Sequence, residues 1–270
     1  MAIHTFETLD YEEQGGVGVL TLNRPDKRNA IDATMRVELA EVVEACRADC
    51  RLRVLVITGA GMHFCSGGDI TGMLEGADLG PISAEHRRQR LVTVHDFVRK
   101  LLQFDRPVIC AVEGTAFGAG FGLALAGDLV VASQAARFCM SFGRMGLIPD
   151  YGVLFTLPRI VGLQRARDLL LTARELDARE AAQWGIVTRV TAQGAALDEA
   201  LRMARAMVSA SPLAISMTKR ALHVSQSTDL TTMLMLEADG QGIAMSSDYH
   251  RHAVDCFLEK RPLPFVCASS

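Results

Sequence analysis

The sequence lacks long hydrophobic runs: no stretch approaches the about 18–20 consecutive apolar residues that span a bilayer. Its beginning, MAIHTFETLD, has neither a basic segment nor an apolar core, so we expect no secretory signal. The seven cysteines are odd in number and form no C-x-x-C pair, which argues against a disulfide framework or a zinc site. We therefore expect a soluble, cytoplasmic protein with buried thiols and no metal.

A strong charge of either sign is also absent. The 28 basic and 31 acidic residues leave a formal net charge of −3, which predicts no nucleic-acid or membrane partner. One small basic cluster, HRRQR at residues 86–90, keeps open an alternative as an RNA-binding protein. With 270 residues, 49% of them hydrophobic, the chain can bury one large core, with or without an appendage.

Short apolar runs rich in β-branched residues recur along the first half of the chain. They are VGVLTL (17–22), RVLVIT (53–58), PVICAV (107–112) and DLVVAS (128–133). Continuous runs of this kind are typical of strands buried on both faces. Helical patterns over 32–46, 84–104 and 119–126 lie between them, with Asp32 as a candidate N-cap, so we predict an α/β core with parallel strands.

The pattern changes in the second half, where helices dominate. Helices are predicted over 163–172, 178–184, 197–210, 212–225, 229–246 and 247–259, with one short strand at 186–190. We divide the chain into a core of residues 1–200 and a helical region of residues 201–270.

Two glycine-rich turns carry the candidate site. AFGAGFG (116–122) has the spacing G-x-G-x-G rather than G-x-G-x-x-G, and no G-K-S/T follows, so a nucleotide site is disfavoured. GAGMHFCSGGDI (59–70) also follows a predicted strand and leads into a helix. Two such turns can aim two backbone N–H groups at one point, as in an oxyanion hole. The alternative is that both glycine clusters only permit tight turns.

Several motifs together resemble the enoyl-CoA hydratase/isomerase (crotonase) superfamily over essentially the whole chain. They are LNRPDKRNAID (22–32), VLVITGAGMHFCSGGDI (54–70), RPVICAVEGTAFGAGFGLALAGDLVVAS (106–133), GLIPDYG (146–152) and RELDAREAAQWGIVTRV (174–190). The resemblance implies a spiral of ββα units followed by a C-terminal helical trimerisation region. It also implies an acyl-CoA thioester as substrate, no cofactor beyond its coenzyme A portion, and assembly as a homotrimer or a hexamer of two trimers.

The resemblance further implies roles for individual residues. The backbone N–H groups of Gly68 and Ala119 would hold the thioester oxygen as an enolate forms. The coenzyme A contacts would come from Lys27, Arg28, Ser66, Asp69, Phe257 and Lys260. Of these, Phe257 and Lys260 match C-terminal residues that reach the coenzyme A of a neighbouring subunit. A solvated loop or tail is the competing interpretation for the charged residues.

The reaction is predicted from what is missing. Hydratases of this family use two glutamates, and the matching positions here are Gly122 and Phe142, neither of which can transfer a proton. Asp150, in LIPDYG, matches an aspartate of isomerase members, including 1,2-epoxyphenylacetyl-CoA isomerases. One carboxylate that removes a proton and returns it elsewhere suffices to shift a double bond. We therefore favour an isomerase in which Asp150 is the acid/base, with a pKa raised by partial desolvation.

Alternatives stay open at this point. Asp150 could instead cap the helix that follows it. Glu113 could serve as a second acid, although capping of the turn is the favoured interpretation, and Glu75 and Tyr151 also lie near the predicted site. Residues 72–96 match the family's variable segment, which shapes the acyl pocket. The alternative functions are a hydratase or another enolate-forming lyase or hydrolase, and a non-catalytic acyl-CoA- or RNA-binding protein.

Overall fold

The large sheet of the protein contains six strands. The computed structural model describes residues 6–71 and 83–265. Within them the strands are β1 (Leu9–Gln14), β2 (Val17–Leu22), β3 (Val54–Gly59), β4 (Val108–Val112), β5 (Thr115–Phe117), β6 (Leu129–Ser133), β7 (Arg137–Cys139), β8 (Glu175–Asp177) and β9 (Arg189–Thr191). The large sheet has the order β1-β2-β3-β4-β6-β9, and β1 alone is antiparallel to its neighbour. The predicted parallel α/β core is confirmed.

Ten α-helices complete the described chain. They are α1 (Ala33–Ala48), α2 (Ala84–Leu102), α3 (Ala119–Leu125), α4 (Val153–Val161), α5 (Leu163–Thr172), α6 (Ala178–Gln183), α7 (Ala196–Met207), α8 (Pro212–Val224), α9 (Leu230–Met245) and α10 (Asp248–Leu258). Asp32 caps α1 as predicted, because its carboxylate accepts the Met35 N–H at 2.8 Å. None of the helices in the described ranges is both long and apolar enough to cross a membrane.

A second sheet contains three strands in the order β5-β7-β8. The chain passes repeatedly from the large sheet to this small one, which gives it a spiral course. Only residues 113 and 114 separate β4 from β5, so the chain passes directly from the large sheet to the small one and then into α3. The chain repeats the step from β6 to β7. The spiral of ββα units implied by the sequence motifs is confirmed.

The large sheet is buried on both faces, as its uninterrupted apolar runs predict. Alternate residues of β3 and β4 point into two different cores: Leu55 and Ile57 into one, Val54 and Val56 into the other. The second core is closed by the small residues of α7, which lie against the sheet. Five of the six described cysteines are buried and unpaired, as expected; the sixth, Cys50, is exposed.

The character of the chain changes after α7. Residue 200, where we divided the sequence, lies inside this helix, which packs on the large sheet. By contrast, α8 and α9 bury none of their residues in the described chain, and α10 buries Cys256 alone. Leu230 and Met235 of α9 are 73% and 64% exposed.

The sequence missed the shortest and most polar elements. The terminal strand β1 reads LDYEEQ, which alternates too weakly to stand out, and the strands of the small sheet have three residues each. The strand predicted at 186–190 forms instead at Arg189–Thr191. The apolar residues Ile186 and Val187, which suggested the strand, are instead buried after the end of α6. The N–H groups of both bond to the Ala181 carbonyl there.

Candidate active site

The segment from Cys65 to Asp69 joins the spiral at two points. Cys65 forms a parallel bridge with Ala116 of β5, and Gly68 forms one with Ile31. Around Ile31 the bonds run from its N–H to the Gly67 carbonyl (2.8 Å) and from the Asp69 N–H to its own carbonyl (2.9 Å). In a parallel bridge of this pattern the N–H of Gly68 itself points away from Ile31. It has no acceptor in the described parts of the chain.

The second glycine turn brings another free N–H to the same place. Gly118, with φ +50°, turns the chain from β5 into α3. Ala119 is the first residue of that helix, so its N–H has no acceptor within it. A Cβ on Gly67 would lie 2.9 Å from the Phe117 oxygen and 3.7 Å from the Ala119 nitrogen, so the two turns are in contact. Gly67 is therefore required because the two backbones approach each other closely.

These turns line a cavity of about 510 Å³. Gly68, Ala119 and Asp150, which the sequence nominated for catalysis, all line it. Apolar side chains cover much of the rest: Leu91, Val94, Phe142, Met145, Leu147 and Ile148. The described part of the variable segment, residues 83–96, contributes to this wall through α2, as predicted.

One oxygen of the Asp150 carboxyl group has no structural partner. Its Oδ1 atom is buried and makes no hydrogen bond in the described structure. Desolvation raises the pKa of Asp150, while the nearby charges of His95 and Arg36 oppose that rise. The alternative role as a helix cap is wrong: α4 begins after Gly152, and only the backbone carbonyl of Asp150 accepts a bond from it, from the Val153 N–H. A carboxyl group with a buried oxygen that lacks a partner is typical of a functional site.

Tyr151 closes the space next to Gly122. A Cβ on Gly122 would lie 2.7 Å from the Tyr151 Cβ and 3.0 Å from a methyl carbon of Val153. Tyr151 has φ +53°, a conformation rare for a large residue, and its ring packs edge-on against Phe97 with centroids 6.5 Å apart. Gly122 therefore stands where a family hydratase has a glutamate, and Tyr151 also leaves no space there for a larger side chain.

The other predicted proton-transfer positions are also accounted for. Phe142 is buried in the cavity wall, so the second hydratase position contributes an apolar ring. Glu113 accepts the Ala196 N–H at 3.1 Å, and this bond stabilises the first turn of α7. Its favoured interpretation as a structural acceptor is supported. Glu75 lies outside the described residues.

The predicted coenzyme A residues near the cavity lie together. The Ser66 N–H donates to the Arg28 carbonyl at 2.9 Å, and Ser66 lines the cavity. Lys27 and Arg28 are exposed beside it. Sequence reasoning missed the residue that fixes this loop, Asn29, which is fully buried and donates to the Ala60 and His63 carbonyls.

The remaining predicted contacts lie elsewhere. Asp69 lines the cavity, but its carboxylate forms an ion pair with Arg24 at 3.0 Å. Phe257, 72% exposed, lies near the end of α10, and Lys260 follows that helix. Neither is among the described residues that line this cavity.

Arg36 is a cavity residue that the sequence did not single out. It lies on α1 next to Met35, which faces the core, and its half-buried side chain lines the cavity with Asp150. Among the described residues, no carboxylate lies within 4.0 Å of its guanidinium. Nothing in the helical pattern distinguishes an arginine that faces a cavity from one that faces solvent.

A spiral of ββα units that ends in helices, as described above, is the crotonase fold. The family model described as enoyl-CoA hydratase/isomerase matches residues 12–267. The chain is 38% identical over 258 residues to the 1,2-epoxyphenylacetyl-CoA isomerase of Escherichia coli (strain K12), covering 93% of this chain and 95% of that protein. It is also 38% identical over 265 residues to a probable enoyl-CoA hydratase of Rhodobacter capsulatus, covering 97% and 99%.

A solved structure agrees with these relatives. The enoyl-CoA hydratase/isomerase from Cupriavidus metallidurans CH34 superposes with a TM-score of 0.91 at 42% identity, covering 99% of each chain. The chain therefore belongs to the enoyl-CoA hydratase/isomerase family and is an enzyme that acts on acyl-CoA thioesters.

Proposed function

We propose that the protein isomerises an enoyl-CoA, by moving a double bond or opening a ring, with Asp150 as the acid/base. The observation that carries this proposal is the buried Asp150 Oδ1 atom, which has no hydrogen-bond partner in the described structure and belongs to the same cavity as the free N–H groups of Gly68 and Ala119. Among the described residues that line the cavity, the only other carboxylate is Asp69, which is paired with Arg24.

The proposed reaction begins with the thioester oxygen between the two N–H groups. The Asp150 carboxylate removes a proton from the saturated carbon next to the thioester carbonyl, and the electron pair of that C–H bond moves onto the carbonyl oxygen as an enolate conjugated with the 3,4 double bond. Two N–H donors stabilise this charge, and loss of one such donor typically slows a reaction by about 10²–10³-fold. Asp150, now protonated, returns the proton to another carbon, so the product is an isomer and nothing is consumed.

Two features favour isomerisation over hydration. Water addition by the two-glutamate mechanism needs carboxylates where this chain has Gly122 and Phe142, and the space beside Gly122 is filled by Tyr151. Relatives of both kinds are equally similar in sequence, so this proposal rests on the cavity rather than on their names.

The experiment is turnover of a 3-enoyl-CoA, followed by the absorbance of the conjugated product. Asp150→Asn keeps the shape of the side chain but cannot take a proton, so we expect turnover to fall by at least about 10²–10⁴-fold, with thioester binding retained. Glu113→Gln is the matched control, because the amide oxygen can still accept the Ala196 N–H.

Unchanged turnover in Asp150→Asn would refute the assignment of the base. Efficient hydration of crotonyl-CoA by the wild-type enzyme would favour the hydratase alternative.

We further propose that Lys27, Arg28 and Ser66 contact coenzyme A at the mouth of this cavity. The exposed apolar residues of α8–α10 support assembly as a homotrimer or a hexamer, in which Phe257 and Lys260 reach a neighbouring subunit's ligand. The mass in solution tests the assembly. The buried free thiols are in keeping with the reducing cytoplasm as the site of action.

A further inference from the structure

The arginines around the cavity differ in whether they are neutralised. Arg24, behind the first glycine turn, forms ion pairs with Asp69 at 3.0 Å and Asp32 at 3.3 Å. Arg36 and Arg87 both line the cavity, yet in the described chain no carboxylate lies within 4.0 Å of either. Arg87 is exposed, whereas Arg36 is half-buried.

An unpaired, half-buried guanidinium is unfavourable unless something neutralises it. Two carboxylates line the described cavity with Arg36. Asp69 is paired with Arg24, and Asp150 Oδ1 has no hydrogen-bond partner, so neither forms an ion pair with Arg36. Among the described residues Arg36 has no counter-ion, and a carboxylate on the substrate would supply one.

We infer that Arg36 binds a carboxylate carried by the acyl chain, so that the cavity prefers thioesters of dicarboxylic acids over neutral acyl groups of equal length. The guanidinium fork matches a carboxylate with two parallel hydrogen bonds. The inference rests on the proposed function only in that it places the acyl chain in this cavity.

The experiment measures binding of saturated thioesters, which cannot isomerise. We expect the wild-type enzyme to bind adipoyl-CoA at least about tenfold more tightly than hexanoyl-CoA in calorimetry, the ratio typical of one charge-assisted hydrogen-bonded pair. Arg36→Gln should abolish this ratio and leave the affinity for hexanoyl-CoA nearly unchanged. Arg36→Lys, which keeps the charge but not the fork, should retain part of it.

The matched control is Arg47→Gln, which removes the same charge from the exposed end of the same helix. It should keep the wild-type ratio. Melting curves of all variants show whether α1 still folds.

Three results would overturn the inference. The first is a wild-type enzyme that does not distinguish the two thioesters. The second is an Arg36→Gln variant that loses affinity equally for adipoyl-CoA, hexanoyl-CoA and free coenzyme A, which would assign Arg36 to the coenzyme. The third is 6-hydroxyhexanoyl-CoA binding as tightly as adipoyl-CoA, which would make any oxygen acceptor sufficient. None of these depends on Asp150, so the inference and the proposed reaction can fail separately.

Discussion

The cavity is lined by two kinds of group, which we call the backbone wall and the side-chain wall. In the backbone wall, Gly68 and Ala119 contribute N–H groups, held by bridges between strands and by glycines that have no room for a Cβ. In the side-chain wall, Arg36, Asp150 and Tyr151 contribute side chains. A side chain changes with one substitution, whereas a backbone group moves only when the packing around it moves. Under the proposed function, the backbone wall would bind what all substrates share, the thioester carbonyl, and the side-chain wall would determine what distinguishes one reaction from another.

The largest effect should come from a methyl group added to the backbone wall. Gly67→Ala places a Cβ 2.9 Å from the Phe117 oxygen at a residue with φ +101°. The strain should cost about 1–3 kcal/mol of folding stability. Displacement of the adjacent Gly68 N–H should lower kcat by about 10²–10³-fold. Turnover of a 3-enoyl-CoA and the midpoint of urea unfolding measure the two effects.

Gly15→Ala separates strain from catalysis. Gly15 also has positive φ, +60°, in the turn between β1 and β2, with no atom within 4 Å of the added Cβ. It should lose some stability and keep its kcat. If Gly67→Ala retained full turnover, the backbone wall would not be fixed as described.

A smaller effect should appear at Gly122 of α3, which packs against Tyr151 of the side-chain wall. The Cβ of Gly122→Ala would lie 2.7 Å from the Tyr151 Cβ, and overpacking of this kind costs about 1–3 kcal/mol. In Gly242→Ala of α9, where the added Cβ meets nothing within 4 Å, the better helix propensity should instead stabilise by up to about 1 kcal/mol. Opposite shifts of the melting temperature in the two variants are the expected result. Stabilisation in both would show that Tyr151 yields readily.

The smallest effect concerns the side-chain wall and pH. Because burial raises the pKa of Asp150 above its ordinary value of 3.8, the folded protein binds this proton more tightly than the unfolded chain does. Stability contributed by this group is therefore present below pH 3.8 and is lost as pH rises through the folded pKa. Asp150→Asn should melt at a higher temperature than the wild type at neutral pH, and the difference should shrink as the pH falls.

The raised pKa of Asp150 should affect activity in the opposite direction, because activity is lost as pH falls whereas stability is lost as pH rises. A base must be deprotonated, so kcat should fall with decreasing pH at a higher pH than an ordinary aspartate would give. An asparagine variant no more stable than the wild type at neutral pH would show that the carboxylate is well solvated.

How far the sequence predicts this architecture depends on what each residue interacts with. The buried strands and the long helices were predictable because apolar spacing reports directly on burial. For example, α5 was predicted with its observed bounds, Leu163–Thr172. The small sheet was not, because a strand of three residues has no period to detect. At the site, family motifs nominated Gly68, Ala119 and Asp150, and the cavity contains all three.

The sequence could not show which residues become neighbours in the tertiary structure. Two contacts, of Gly122 with Tyr151 and of the Ala196 N–H with Glu113, join residues far apart along the chain. The unpaired state of Arg36 in the described structure likewise depends on the tertiary fold. No local pattern records such pairs. These tertiary contacts nevertheless determine which carboxylates are free and which charged groups have no partner in the described structure.

The double bridge of residues 65–69 also bears on how the protein folds. The amides of Cys65 and Phe117 are bonded across one bridge, and that of Asp69 across the other, to Ile31. These bonds form only after segments more than thirty residues apart have met, and closing such loops costs chain entropy before the contacts are gained. Strands β3 and β4 pair over a similar separation, for example Leu55 with Val108, so we expect this part of the cavity to assemble together with the large sheet. Slow hydrogen exchange at these three amides, at the rate of global unfolding, would mark the site as a product of complete folding.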